Sequence, residues 1–464
     1  GTPILSLRFI VRDTAAMSEA AGSKVSPSAY DMTRRLAPFM DAHLVLRMLD
    51  FVSESKMYPD ADVLRARLDV LKRTYLVDEA LKVCADLGIE PPAEVKSKQE
   101  AATKRREELG AACGPLLPLL TSEARAKQLA QLEADDEFNR TTLRDEHDAT
   151  DANMAALFPL AKFLADAGEH ATAGKLLKFY RKLVDDEHPT WEPALWGQLA
   201  AALLAGDLDA AVTLHNELKS LIERSSSAPL KQLQQRSWLL HWGLFIYFGH
   251  PKGLSMLVDL CFPREFGRTE RGSDFLCALQ NNCPWLLRYL TTAVVLEQRG
   301  RSSSSSLPHL VRAVEQERHA YRDPATSFVE QLFVDFDFDA AQDTLRECEA
   351  MLRGDFFLAR VGGDAVPARF MDQARLLVFE TYCRVHQRLD LRVLAEKLHM
   401  GVEEAERWMV HLIRETKLDA KIDSEAGHVI MGVHYPNIYE QVISKTKDLT
   451  FRTTVLATDL ERRV

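Results

Sequence analysis

Two stretches decide the fold class of this 464-residue chain: LADAGEHATA at Leu164–Ala173 and LLAGDLDAA at Leu203–Ala211. In each, a glycine ends an apolar, helix-forming segment, and an alanine follows that glycine five positions later. The two glycines lie 38 residues apart, and Asp337–Ala341 repeats the acid and paired alanines of the second turn. A turn that recurs at this spacing predicts helical hairpins stacked into a solenoid.

Apolar residues at helical spacing continue this pattern from about Tyr30 to Leu358. The longest apolar run, Trp238–Gly249, has 12 residues, which is too short to cross a bilayer and predicts a buried helix. We therefore expect the solenoid at residues 28–360, a junction at 361–370 and no membrane contact. Residues 1–27 lack the features of a secretory signal, and Met17 is a candidate natural start. We expect them to form a mobile N-terminal extension.

After the junction the periodicity changes. Apolar positions predict helices over Met371–Val385, Leu391–Leu398 and Val402–Glu415. Leu418–Asp423 and His428–Gly432 then alternate apolar and polar residues, as the strands of a half-buried hairpin do. A helix, a helix-turn-helix and a hairpin form a winged helix, which we predict at residues 371–434.

The C-terminal tail, residues 435–464, is predicted to be a helix. Val442, Leu449 and Leu456 form a narrow apolar stripe on it at heptad spacing. Four residues after each of them come Thr446, Thr453 and Leu460, respectively. Such a stripe predicts either a bundle with helices of other chains or packing against the chain's own winged helix. The strands of the hairpin also offer edges to a neighbouring sheet. We predict protein-interface residues at Ile422, Val429, Met431, Val442, Leu449 and Leu456.

Charge argues against a nucleic-acid-binding function. The chain has a formal net charge of −10, so any binding to phosphate must be local. The predicted third helix of the winged helix carries Glu403, Glu404 and Glu406 in its first turns, where they would repel a phosphate backbone. We therefore expect this helix to serve protein assembly.

The sequence contains no motif that predicts an enzyme. Gly168–Lys175 resembles a phosphate loop, but five residues instead of four separate its glycines, and Leu176 replaces the hydroxyl residue that would bind magnesium. His241 lies among aromatic residues and is expected to be a hydrogen-bonded core residue. The seven cysteines show no paired spacing, which indicates reduced thiols in a cytoplasmic protein without a zinc site. We predict no catalytic residue, cofactor or metal.

The chain resembles the family of the e-type subunits of eukaryotic translation initiation factor 3, which has the PCI architecture of a helical solenoid followed by a winged helix. The likeness covers about Tyr30–Glu461. The segments that carry it are Gln235–Trp242, His250–Gly253, Leu287–Val294, Asp335–Asp339, Glu403–Trp408, Leu418–Asp423 and Lys445–Lys447.

This resemblance implies a non-enzymatic scaffold subunit that helps to assemble the initiation factor on the small ribosomal subunit for mRNA recruitment. It implies contacts with the c and l PCI subunits, with the d subunit near the N-terminal part, and indirect or local contact with RNA. A PCI subunit of the proteasome lid or of the signalosome is the alternative of the same class. The aromatic segment Trp238–Gly253 fits this alternative less well than it fits the e-type subunits. A winged-helix nucleic-acid regulator and an unrecognised enzyme are the alternatives of other classes.

Overall fold

A computed structural model describes residues 30–90, 92–114, 116–117, 144, 150–186, 188–225, 228–263, 273–297, 303–363, 365–386, 388–390, 406–407, 410, 420–423, 428–431 and 438–461. The chain forms two compact units, Gly1–Ala374 (unit 1) and Arg375–Val464 (unit 2). The boundary between them falls inside the helix Ala365–Val385. The junction expected from the sequence, residues 361–370, ends shortly before that boundary.

Unit 1 is helical throughout its described residues, and the predicted fold class of a helical-repeat solenoid followed by a PCI module is confirmed. The α-helices are α1 (Thr33–Leu36), α2 (Ala42–Glu54), α3 (Asp60–Leu71), α4 (Val77–Asp86), α5 (Ala93–Cys113), α6 (Asp151–Asp166), α7 (His170–Leu183), α8 (Trp191–Ala205), α9 (Leu208–Arg224), α10 (Pro229–Gly249), α11 (Gly253–Cys261), α12 (Asp274–Asn282), α13 (Leu287–Leu296), α14 (Ser303–Glu317), α15 (Pro324–Glu330), α16 (Phe338–Gly354) and α17 (Ala365–Val385). Two 3₁₀ turns (Ala37–Phe39 and Pro284–Leu286) and two π-helical segments, π1 (Gln331–Asp335) and π2 (Phe356–Val361), complete it.

The turns that predicted the repeat have the expected geometry. Gly168 and Gly206 follow α6 and α8 with φ of +89° and +81°, a left-handed conformation that glycine adopts without a steric cost. The Asp207 side chain accepts a 3.1 Å hydrogen bond from a backbone N–H in the first turn of α9. Ala173 and Ala211, five residues after the glycines, are fully buried. A small residue at this point lets the neighbouring helix pack closely.

The apolar segment Trp238–Gly249 forms most of α10 and is largely buried, as predicted. Within the described part of the chain, no helix combines the length and hydropathy that a membrane span requires.

The N-terminal segment, residues 30–54, packs against the later helices of unit 1. The carbonyl of Phe39 accepts a 2.8 Å hydrogen bond from the Trp242 indole N–H on α10. Further along, Phe51 meets Phe356 of π2 edge-on, with 5.7 Å between the ring centroids. These contacts join residues that are about 200 or more positions apart, so the segment is part of the solenoid's core.

Polar side chains of α2 also bind the N-terminal segment to later helices of unit 1. The Arg47 guanidinium donates a 3.2 Å hydrogen bond to the carbonyl of Leu203 near the end of α8. Glu54, the last residue of α2, pairs with Arg360 of π2. The segment therefore contacts α8, α10 and π2, and unit 1 is complete only when the chain has reached residue 360.

A buried arginine connects the two ends of unit 1. Arg288 of α13, with 3% of its surface exposed, donates hydrogen bonds to Asp323 at 2.8 Å, to Asp355 at 3.1 Å and to the backbone carbonyl of Tyr30 at 2.7 Å. A charge this deeply buried is tolerated only when it is paired and fully hydrogen-bonded. Arg288 therefore holds α13 to the start of α15, to the start of π2 and to the N-terminal segment.

Both aspartates have a second task as helix caps. Asp323 accepts a 2.9 Å hydrogen bond from the N–H of Thr326 in α15, and Asp355 accepts a 3.0 Å bond from the N–H of Phe357 in π2. The hydroxyls of Tyr321 and Tyr289 donate to Asp323 and Asp355 at 3.0 and 2.9 Å, respectively. Burial raises the pKa of Asp355, and the Arg288 guanidinium opposes that shift. The network thus fixes where two helical segments begin.

Unit 2 contains a three-stranded antiparallel sheet and a terminal helix. The strands are β1 (Arg388–Asp390), β2 (Ala420–Asp423) and β3 (His428–Met431), in the order β1-β3-β2. Leu389 of β1 and Ile422 of β2 both pair with Val429. The helix α18 spans Ile438–Glu461.

The sheet differs from the predicted hairpin in one respect. The sequence predicts β2 and β3 but not β1, because three residues are too few to show an alternating pattern. Asp390 directly precedes the predicted helix Leu391–Leu398, where it would be the N-cap residue, and it is the last residue of β1. The two positions are compatible, since a helix N-cap residue has extended backbone angles. Residues 406–407 and 410 are helical, and the rest of the predicted helices Leu391–Leu398 and Val402–Glu415 lies outside the described residues.

We expect the substitution Arg288→Met to destabilise unit 1 by about 3–5 kcal/mol, because it leaves two buried carboxylates without a counter-charge. Five of the six tryptophans lie in unit 1, so the midpoint of thermal unfolding followed by tryptophan fluorescence reports the effect. Arg346→Met is the matched control, because Arg346 pairs with Asp343 at an exposed site and exposed pairs contribute less than about 1 kcal/mol. Equal midpoints for the two variants would contradict the assigned role of Arg288.

Candidate assembly surfaces

The predicted stripe on α18 is exposed. Val442, Leu449 and Leu456 have 56%, 62% and 63% of their surface exposed. Residues seven apart drift by only about 20° around an α-helix, so the three side chains share one face. Every side chain of α18 whose burial the structure describes is exposed. The alternative in which this stripe packs on the chain's own winged helix disagrees with that exposure.

Threonine hydroxyls on the same face are bonded within the helix. The Thr446 hydroxyl donates to the carbonyl of Val442 at 2.7 Å, and the Thr453 hydroxyl donates to the carbonyl of Leu449 at 2.8 Å. A polar group that already has a hydrogen-bond partner costs less to remove from water. The stripe can therefore be covered by an apolar surface without leaving these hydroxyls unpaired.

The exposed apolar surface is larger than the stripe predicted from the sequence. Tyr439, Ile443 and Leu460 are also more than half exposed. Leu460 lies four residues after Leu456, as the sequence pattern already indicated. Tyr439 lies three residues before Val442, so helical spacing would have found it as well. Tyr439 and Leu460 extend the apolar face toward both ends of α18, whereas Ile443 lies about 100° around the helix from Val442.

The three predicted interface residues of the sheet occupy different positions. Val429 is fully buried, and its strand β3 is paired on both sides, so the open strand edge expected there is covered by β1. Ile422 lies on β2, which pairs with β3 alone among the described strands. Met431 ends β3 and pairs with Ala420. A strand edge able to receive another chain therefore remains a prediction for β2, while the side chain of Val429 belongs to the core of unit 2.

The geometry of His241 confirms its interpretation as a core residue. The side chain is fully buried, and its ring stacks on Phe39 with 4.1 Å between centroids. Nδ1 lies 2.6 Å from the carbonyl of Ser237, and Nε2 accepts a 3.2 Å hydrogen bond from the Trp285 indole. Both ring nitrogens are occupied within the protein, and burial lowers the pKa of His241 to about 4. It cannot act as a general base toward a substrate.

The described residues also offer little for metal binding or thiol chemistry. In the described part of the chain, no group of three or more histidine, cysteine, aspartate or glutamate residues has a geometry that could hold a metal ion. The six cysteines whose side chains the structure describes are free thiols, most of them buried. Burial raises the pKa of Cys261 and Cys283 to about 12, which keeps both thiols protonated and unreactive.

The helical solenoid followed by a smaller C-terminal unit defines a protein of the PCI class. A family model described as the eIF3 subunit 6 N terminal domain matches residues 31–164, and a model described as the PCI domain matches residues 345–433. The E subunit of eukaryotic translation initiation factor 3 from Arabidopsis thaliana is 38% identical over 444 residues, which cover 94% of this chain and 97% of that protein.

Two animal proteins match this chain over a similar length. The E subunit of the same factor from Bombyx mori is 33% identical over 95% of this chain and 97% of its own length. The protein of the same name from Caenorhabditis elegans is 34% identical over 94% of this chain and 98% of its own length. The chain belongs to the family of the E subunits of eukaryotic translation initiation factor 3.

The buried histidines predict a pH dependence of stability. Burial lowers the pKa of His215, like that of His241, to about 4, whereas an unfolded histidine has a pKa of about 6.5. The unfolded chain therefore binds protons first, and the stability present above pH 6.5 is lost as the pH falls toward 4. At pH 5 we expect a loss of about 2 kcal/mol for each histidine.

The measurement is the thermal midpoint of unit 1 at pH 7 and at pH 5. His215→Phe loses the 2.8 Å hydrogen bond to the Tyr247 hydroxyl and is less stable at pH 7, but its midpoint should fall less on acidification than that of the unaltered chain. His319→Gln, at an exposed position, should leave the acid-induced fall unchanged. A fall in His215→Phe as large as in the unaltered chain would refute the assignment.

Proposed function

We propose that this chain acts as a non-enzymatic scaffold subunit of eukaryotic translation initiation factor 3 and helps to assemble the factor on the small ribosomal subunit for mRNA recruitment. The family membership and the fold support this function. The observation that carries the structural part of the proposal is the exposed apolar face of α18, because contiguous apolar residues that a helix leaves in water mark a surface for a packing partner.

The partners we propose are the c and l PCI subunits, which would contact the winged helix and α18. A helical bundle suits α18, since its three stripe residues repeat every seven positions as the seam of a coiled coil does. The outer edge of β2, at Ile422, is the proposed site for pairing with a neighbouring sheet. Contact with RNA would be local or indirect, and we expect the complex to be cytoplasmic.

The d subunit is proposed to dock near the N-terminal part of unit 1. The N-terminal segment is bound to α8, α10 and π2, so its inner contacts are already used. The helices that follow it, α3 to α5, carry many exposed side chains. These exposed helices of the N-terminal part are the proposed docking region for the d subunit.

The alternatives have less support. The curated relatives named above match over more than nine tenths of this chain, and all three carry the name of an initiation factor subunit. A subunit of the proteasome lid or the signalosome is therefore not favoured. For the domains we propose a solenoid at 28–360, a winged helix at 371–434 and a helical tail at 435–464.

The test is retention in the complex. We expect a chain carrying Val442→Asp, Leu449→Asp and Leu456→Asp to fold but to co-purify poorly with the other subunits, because a buried unpaired charge costs several kcal/mol. A tail deletion of residues 436–464 should act likewise. The matched control carries Lys447→Asp, Thr454→Asp and Thr458→Asp, three exposed positions on another face of the same helix.

The readout is quantitative mass spectrometry of initiation factor subunits recovered with the tagged chain, alongside the thermal midpoint of each variant. Equal recovery with the stripe variant and the control would contradict the bundle. Loss of the cooperative unfolding of the chain after tail deletion would show that α18 belongs to the chain's own core. Absence of initiation factor subunits from the preparation of the unaltered chain would overturn the proposed function itself.

A further inference from the structure

A third copy of the repeat turn contains an unexpected residue. The turn before α16 has the same order as the turn before α9: a left-handed residue, a capping aspartate and, five positions after the left-handed residue, a fully buried alanine, here Ala341. At the left-handed position, the earlier turn has Gly206 with φ of +81°, whereas this turn has Phe336 with φ of +54°. Glycine is the residue that this conformation favours, and a bulky aromatic residue there is an outlier.

The third turn is also one residue longer. In the earlier turn, the N–H of Asp207 donates to the carbonyl of Ala202, five residues back, at 3.1 Å. In the later turn, the N–H of Asp337 donates to the carbonyl of Gln331, six residues back, at 2.9 Å. The additional residue forms part of π1, and single π-helical turns inserted into helices occur frequently at functional sites.

Neither the turn nor the core of unit 1 requires an aromatic side chain at this position. Phe336 has 53% of its surface exposed, so its ring is not held mainly by intramolecular packing. The backbone conformation disfavours it, and glycine serves the same turn elsewhere in the chain. Strained residues that persist at a protein surface indicate a functional constraint, and an exposed aromatic side chain is a common anchor in protein interfaces.

The charges around Phe336 define what it can bind. Asp335, Asp337, Asp339 and Asp343 are all exposed, and Arg346 pairs with the last of them. The stretch 335–346 thus carries four carboxylates and a single cation. Such a surface repels phosphate and attracts lysine and arginine.

We propose that Phe336 and the four surrounding aspartates form a docking surface for a basic segment of another protein in the assembled complex. The ring would enter an apolar depression on that protein, and the net negative charge of the stretch 335–346 would attract lysine or arginine side chains beside the depression. The inference rests on the proposed function for the setting in which the partner is met, but the residues differ from those of the tail and the sheet.

The first experiment identifies the partner. A photoreactive benzoylphenylalanine replaces Phe336 in the full-length tagged chain, and the purified complex is irradiated and analysed by mass spectrometry. The control places the same group at Leu230, which is also an exposed apolar residue. We expect a crosslink, specific to position 336, to a segment of another protein with a net positive charge. Crosslinks to RNA, to this chain alone or to the same peptides as from position 230 would overturn the proposal.

The second experiment tests the two components of the surface. A synthetic peptide of the crosslinked segment is titrated with the full-length chain. We expect Phe336→Gly to retain the thermal midpoint and to weaken binding by on the order of tenfold or more. The charge variant Asp335→Asn with Asp339→Asn should weaken binding at low salt and reduce its salt dependence. Binding of Phe336→Gly within twofold of the unaltered chain would refute the anchor.

The results distinguish a failure of the docking surface from a failure of the proposed scaffold function. If initiation factor subunits co-purify with the unaltered chain while position 336 gives no specific crosslink, the docking surface is refuted and the scaffold function stands. If no initiation factor subunits co-purify, the scaffold function fails, and a specific crosslink to a basic segment would still support the docking surface.

Discussion

The pairing of Arg288 with Asp323 and Asp355 is the interaction on which the organisation of unit 1 depends. A guanidinium with 3% exposure is stable only if each of its partners is in place. Those partners come from the starts of two helical segments and from the backbone of Tyr30. The arginine therefore makes the position of the N-terminal segment and the start of π2 depend on each other, although more than 300 residues separate them in the sequence.

The polar side chains around Arg288 and those on α18 find their hydrogen-bond partners in different ways. Around Arg288 in unit 1, the buried hydroxyls of Tyr321 and Tyr289 pair with Asp323 and Asp355. On α18, the hydroxyls of Thr446 and Thr453 are bonded to their own helix, while the stripe residues Val442, Leu449 and Leu456 are exposed to water. This contrast is physically consistent with a subunit whose solenoid is complete by itself and whose terminal helix is completed by other chains.

Local sequence patterns were sufficient for some of these features. The turns at Gly168 and Gly206 were predictable, because a left-handed residue, a capping acid and a buried small residue all lie within a few positions of one another. The stripe on α18 was predictable because heptad spacing is also a local property. The strand β1 was not, since three residues carry no period, and its absence from the prediction left an open edge beside Val429 that the structure fills.

The long-range contacts had no local signal. Nothing near Arg288 in the sequence indicates that its partners lie 35 and 67 residues further on, or that Tyr30 completes the set. The same limit applies to Phe336, whose segment is family-like in sequence but whose left-handed conformation has no signal in the neighbouring residues. Side-chain positions of this kind follow from the three-dimensional packing of distant helices.

Hydrogen–deuterium exchange of the full chain, alone and within the assembled complex, tests the central claim most directly. If unit 1 is complete by itself and α18 is not, amides of Pro229–Gly249 will be protected in both states, whereas those of Ile438–Glu461 will exchange rapidly in the free chain and slowly in the complex. Protection of Ile438–Glu461 in the free chain equal to that of Pro229–Gly249 would contradict the account.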